Sequence, residues 1–190
     1  MAKCFDVVGY IEPCNAVRQK YTGRALLITG ETTDSGTSFT LSDNGLKVTA
    51  IRDKISFSEA ELSKFSVCIY AENPFGVTVQ GNTDSGRAIY TKTIPVSIPA
   101  TRDGKAEEFI MGLQKGFKYN AAIVLETFGD ADENDIFGSY SPVRIDPASV
   151  TRSEYENGGA WQFNLVCEEP VPNVICTMTG LSLVLDNLNA

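Results

Sequence analysis

The chain contains no histidine. A Ser-His-Asp or Cys-His catalytic site is therefore impossible, as is a zinc site that uses imidazole. Catalysis by paired carboxylates or by lysine stays open on this count. Tryptophan occurs once and methionine three times. Basic charge is scarce: 16 Lys and Arg stand against 24 Asp and Glu, for a net charge of −8. Residues 1–64 are balanced, so the whole acidic excess falls in residues 65–190. A tight nucleic-acid binder carries a basic footprint, and this chain shows the reverse. An acidic surface repels phosphate, which suits a protein past which DNA must move without sticking.

Long hydrophobic runs are missing too. None approaches the roughly 20 residues of a membrane helix, so no membrane span is expected. The first residues, MAKCFDVVGYIEPC, have a lysine but no apolar core, so the expectation is no signal peptide and folding in a cytoplasm. The five cysteines (Cys4, Cys14, Cys68, Cys167 and Cys176) are odd in number and never spaced CxxC. Cys4, Cys68 and Cys167 lie inside apolar runs, which reads as buried free thiols in a reducing compartment.

Helical periodicity occurs in one convincing place. Ala106, Phe109, Ile110, Leu113 and Phe117 share one face of a helix over about residues 104–116. Asp103 can cap its start, Glu107 and Glu108 suit its positive end, and Gly116 can take the left-handed stop position. A weaker signal, SEAELSK at 58–64, has Ser58 and Glu61 placed as a capping box.

The rest reads as about ten short strands separated by turns. Expected strands include CFDVVGYIE (4–12), GRALLITG (23–30), FSVCIYA (65–71) and Arg87–Ile98, with a short one around Tyr140–Ile145. Ala122 and Val124 face opposite to Ala121, Ile123 and Leu125, so the run 118–127 reads as a strand covered on both sides. Asn44-Gly45 between Phe39 and Ile51 marks a hairpin whose central residues both take positive φ. The stretches 31–38, GNTDSG (81–86) and 147–157 read as loops. Two apolar strands, Trp161–Cys167 and Val174 onward through Leu185, close the chain. With no Pro/Gly/Ser linker, residues 1–190 are expected to form a single mainly β domain: a β-sandwich or barrel with one flanking α-helix.

Candidate sites are few. The cluster Asp130, Asp132, Glu133 and Asp135 fails as an EF-hand, because the sixth and twelfth places counted from Asp130 hold Asp135 and Ser141, not Gly and Glu. It reads as a solvated acidic loop, and so do Glu154, Glu156 and the pair Glu168-Glu169. The loops GETTDSG and GNTDSG lack phosphate-loop spacing. No catalytic, cofactor or metal residues emerge, and no enzymatic activity is expected. Trp161, in an alternating apolar run, reads as core. Phe75 and Phe137 sit in polar segments beside glycine, and read either as exposed tips that contact another chain or as local packing. The strand Arg87–Ile98 contains Pro95, which lacks a ladder donor, so it is expected at a sheet edge or bulge. A long edge guarded only by Pro95 and Lys92 is open to pairing with another subunit. Phe75, Arg87, Ile94, Pro95 and Phe137 are thus the candidate assembly residues.

A compact β protein with one helical lid, an open edge, reduced thiols and an acidic second half resembles the tail tube proteins of bacteriophages and related injection systems. The resemblance implies a homo-oligomer of stacked rings, found in the virion and assembled in a bacterial cytoplasm. It implies a channel through which DNA passes without sequence-specific contact, and loops such as 31–38 and 72–86 that touch the next ring. Other virion parts share this chemistry: a head–tail connector, a tail completion protein or a capsid decoration protein. A carbohydrate-binding or adhesion β-sandwich is the alternative from another class.

Overall fold

The computed structural model describes residues 21–28, 39–52, 54–56, 58–62, 66–71, 74–84, 86–100, 103–114, 122–127, 133–153 and 159–177. The expected strand 4–12, the loop 31–38, Gly116 and the segment around Leu181–Leu185 lie outside these residues.

Two sheets face each other. The larger contains β1 (Tyr21–Ile28), β2 (Phe39–Leu41), β3 (Lys47–Ile51), β4 (Ser66–Tyr70), β7 (Ala122–Thr127), β8 (Asn134–Phe137) and β11 (Ile175–Cys176). Its order is β2-β3-β11-β8-β7-β1-β4. The smaller has order β5-β6-β10-β9, with β5 at Thr78–Asp84, β6 at Arg87–Pro99, β9 at Arg144–Ser153 and β10 at Ala160–Glu169. All its ladders are antiparallel. This is the mainly β sandwich with a flanking helix that the strand-and-turn pattern predicts.

Period-two alternation builds the core. From the large sheet, Ala25, Leu27, Ile69, Ile123, Leu125 and Phe137 point inward. From the small sheet, Ile94, Val96, Ile145, Phe163, Leu165 and Cys167 meet them. The intervening residues of the large sheet, Leu26, Ile28, Ala122, Val124 and Ile136, are equally buried in a second cluster on its other face. β7 is therefore apolar on both sides because both sides are covered, as its sequence indicates.

The principal helix, α2 (Lys105–Gln114), buries Ala106, Ile110 and Leu113, and Phe109 packs half-buried beside them. The Asp103 carboxylate accepts the Lys105 N–H at 3.2 Å, satisfying one open donor of the first turn. A single short turn, α1 (Glu59–Leu62), carries the expected capping box: Glu61 accepts from the Ser58 N–H at 3.0 Å and from its hydroxyl at 2.9 Å. Lys54 pairs with the same carboxylate, and with Ser58 it holds the Glu61 carboxyl down at about 2.

Several sequence expectations change. β6 is not an edge strand, since β5 and β10 flank it. The β5 ladder ends at Thr78↔Thr93, however, so the half of β6 from Ile94 onward pairs with β10 alone. Pro95 sits in that one-sided half, where a missing N–H need not leave a partner unsatisfied. Most of GNTDSG is not a loop; Gly81–Asp84 belong to β5, and Gly86 (φ +80°) precedes β6, whose Arg87 pairs with Asp84. Most of the supposed loop 147–157 is the strand β9, with Pro147 between the two halves of its register, where the ladder to β10 shifts. The hairpin between β2 and β3 forms, but only Gly45 has positive φ (+70°). Its turn runs over Ser42–Gly45, with the Gly45 N–H bonded to the Ser42 carbonyl at 2.8 Å.

Candidate functional site

Three of the five candidate assembly residues are inside. Phe75, Ile94 and Phe137 all belong to the core between the sheets, at 5%, 0% and 1% exposure. Their polar sequence neighbours mislead because each aromatic enters the core from a connecting segment or strand end. They offer nothing to a partner. Arg87 and Pro95 are exposed. Both fall at odd positions of β6, the set that alternates with the buried Lys92, Ile94 and Val96, so they share the outward face of the small sheet.

That outward face is mostly polar and carries no excess of basic charge. β5 contributes Thr78, Gln80 and Asn82, paired in register with Thr93, Thr91 and Ile89 of β6. Gln162 and Asn164 of β10 follow, opposite Ser97 and Pro95. The charged positions that alternate outward are Arg87 and Arg144 against Asp84, Asp146 and Glu168, so acid exceeds base by one. Both outer strands lack a partner on one side among the described residues. β5 has neither proline nor lysine to blunt its edge, whereas β9 has Pro147.

Beneath this sheet lies a buried charge cluster that sequence reading places in solvent. Glu169 is 1% exposed and pairs with Lys92, which is 0% exposed. The second Glu169 oxygen accepts the Gly138 N–H at 2.9 Å, with the Tyr140 N–H and Ser139 hydroxyl each at 3.3 Å. The Phe137 ring lies 5.1 Å from the Lys92 ammonium. Cys167 neighbours the pair, and burial, reinforced by the Glu169 charge, pushes its thiol up to about 12. The cluster ties the turn after β8 to β6 and β10, clasping one sheet to the other. Asp135, also expected in solvent, is 1% exposed and accepts from the Tyr21 hydroxyl at 2.6 Å and the Asn173 amide at 2.8 Å. Burial, with that bond, holds the Tyr21 phenol in its neutral form well above its ordinary range. Glu133 is exposed, and Asp130 and Asp132 lie outside the described residues.

Both misplacements were detectable in the sequence. Lys92 continues the inward series of Ile94, Val96 and Ile98, and Glu169 continues Trp161, Phe163, Leu165 and Cys167. Extending the alternation by one step puts both in the core.

At the opposite end of the small sheet, α2 and β10 enclose a hollow of about 290 Å³ lined by Glu107, Ile110, Met111, Gln114, Val150 and Trp161. Trp161 is half-buried against the core, and its indole N–H donates to Glu107 Oε1 at 3.1 Å. The other oxygen, Glu107 Oε2, is buried without a hydrogen-bond partner. Arg152 lies over the indole at 5.7 Å.

Cys68, Cys167 and Cys176 are free thiols. Among the described residues, no three His, Cys, Asp or Glu side chains stand close enough to hold a metal ion, and no helix is long and apolar enough to cross a membrane. No family model, curated protein or solved structure matches the chain.

Proposed function

We propose that the protein is a non-enzymatic structural component of a virion, of the bacteriophage tail tube kind, which self-assembles into rings or stacked rings that conduct DNA. The observation that carries this reading is the small sheet: mostly apolar inside, polar outside with no excess of basic charge, and with an unguarded edge at β5. Addition of β5 from one copy to the β9 edge of the next is a heterologous contact, and such contacts close into rings or run on as helices. Thr, Gln, Asn and Ser side chains on the outward face hold no phosphate, because affinity for DNA needs uncompensated Lys or Arg. A lumen so lined passes the duplex without gripping it.

Negative-stain electron microscopy across a concentration and salt series tests the reading. Rings or hollow tubes with a bore wide enough for a duplex are the expected result. Featureless monomers under every condition would sink self-assembly and move weight to a partner-dependent connector or a ligand-binding sandwich.

A further inference from the structure

We infer that Arg87 of one copy docks in the Glu107–Trp161 hollow of a second copy, joining subunits end to end along the strand direction. The inference rests on the assembly reading above and names its axial contact.

The hollow can take a further charged donor beside the Arg152 guanidinium that lies over its indole. Glu107 Oε2 is buried without a hydrogen-bond partner, while Oε1 is occupied by the Trp161 N–H. A buried, unpaired carboxylate oxygen is costly, and a charged donor that supplies the missing bond relieves that cost. The walls suit a guanidinium more than a compact ammonium. An indole ring, the Met111 thioether and the aliphatic carbons of Ile110 and Val150 favour a flat, weakly hydrated cation on an apolar stem. Met111 stands open to solvent at 49% exposure, so the hollow can be reached from outside.

A matching cation waits at the other end of the same sheet. The Arg87 side chain is exposed, at the end of the β5–β6 ladder where its register partner is Asp84. The β10 ladder stops at Glu169↔Tyr90, so the β5–β6 tip bearing Arg87 runs three residues, about 10 Å at roughly 3.4 Å per residue, beyond the last β10 pair, across a hollow it shares with Ser141 and Pro170. Trp161 is registered with Ile98 at the far end of β6. Arg87 and Ile98 are eleven residues apart, about 37 Å along the strand, so Arg87 cannot reach the hollow of its own chain. A knob at one end and a socket at the other, on one strand axis, repeat head to tail. This contact runs perpendicular to the edge pairing of β5 and β9, so one would close rings and the other would stack them.

The test has two arms. Trp161 is the sole tryptophan, so its emission reports occupancy of the hollow even in a monomer. Titration with N-acetyl-arginine amide should change that emission saturably, while the uncharged N-acetyl-citrulline amide should not. Glu107→Gln, which turns the acceptor into a donor while its remaining oxygen can still hold the indole, should weaken the response at least tenfold. In the second arm, stacking is followed by microscopy and sedimentation velocity for wild type, Arg87→Ala, Glu107→Gln and the double variant. Each single change should shorten stacks while leaving rings, and the double variant should be no worse than either single. Stacks unaffected by Arg87→Ala would overturn the proposal while sparing the tube reading. A hollow that binds the arginine probe beside an inert Arg87→Ala would assign the socket to another cation and equally overturn it. Wild type that is monomeric at every concentration would sink both.

Discussion

The Lys92–Glu169 pair allows a quantitative test of how the sheets are held together. Both side chains are fully sealed from water, and four donors converge on two carboxylate oxygens: the Lys92 ammonium, the Gly138 and Tyr140 N–H groups and the Ser139 hydroxyl. Breaking a buried pair from one side costs about 3–5 kcal/mol, because a charge is left uncompensated. The two halves should not cost the same. Lys92→Met leaves Glu169 with its three other donors and should fall near the low end, about 3 kcal/mol. Glu169→Gln supplies one acceptor oxygen and one donor amide, so its NH2 must face either the ammonium or the backbone N–H groups. That clash, added to the unpaired Lys92 charge, puts it at the top of the range, about 5 kcal/mol. For a chain of this size these costs lower Tm by roughly 6–12 °C and 10–20 °C. The double replacement Lys92→Met/Glu169→Leu should not recover fully, since the Gly138 and Tyr140 N–H groups then lose their acceptor at about 1–3 kcal/mol. Urea unfolding followed by circular dichroism and Trp161 fluorescence provides the numbers. If Lys92→Met lies within 1 kcal/mol of wild type (~1 kcal/mol being the cost of an ordinary substitution), or Glu169→Gln is the milder variant, the clasp is not what joins the sheets.

Three further outcomes are expected. Gly45→Ala should cost about 1–2 kcal/mol for positive φ, and its methyl would collide with the Tyr140 hydroxyl, displacing that group's 2.7 Å bond to the Gly45 carbonyl. Chemical denaturation should show a smaller penalty in a Tyr140→Phe background, and an equal one would refute the contact. The Cys167 thiol, raised from an ordinary 9.0 to about 12, binds its proton more tightly folded than unfolded, so its contribution is complete below pH 9 and is lost as pH rises toward 12. Cys167→Ala should flatten the alkaline limb of the stability–pH curve between those values; an unchanged limb would exclude the thiol. Phe137→Ala should destabilise the monomer by about 3–5 kcal/mol through its cavity, whereas Pro95→Ala should leave monomer stability within about 0.5 kcal/mol. A Phe137→Ala chain that unfolds like wild type yet fails to assemble would return Phe137 to the surface.

The sequence by itself determined the class of protein. Alternation, turn residues and one helical period predict a β-sandwich with a flanking helix, and the structure has it. The Asp103 cap, the Ser58–Glu61 capping box and the two-sided burial of β7 were legible because each depends on residues within a few positions of one another. Composition alone removed every chemistry that needs imidazole. Whatever depended on strand order was decided only in three dimensions. Arg87–Ile98 looks like an edge because Pro95 lacks a donor, yet β5 flanks only its first half and β10 runs along the rest, so one strand is interior at one end and one-sided at the other. Phe75 and Phe137 have polar neighbours in sequence and apolar neighbours in space. Lys92 and Glu169 lie between these cases. The period-two pattern already places them inside, but only the pairing of β6 with β10 brings the two charges together and makes their burial tolerable. The meeting of α2 with Trp161, which leaves Glu107 one bond short, is likewise a product of packing between distant segments, and no local pattern encodes it.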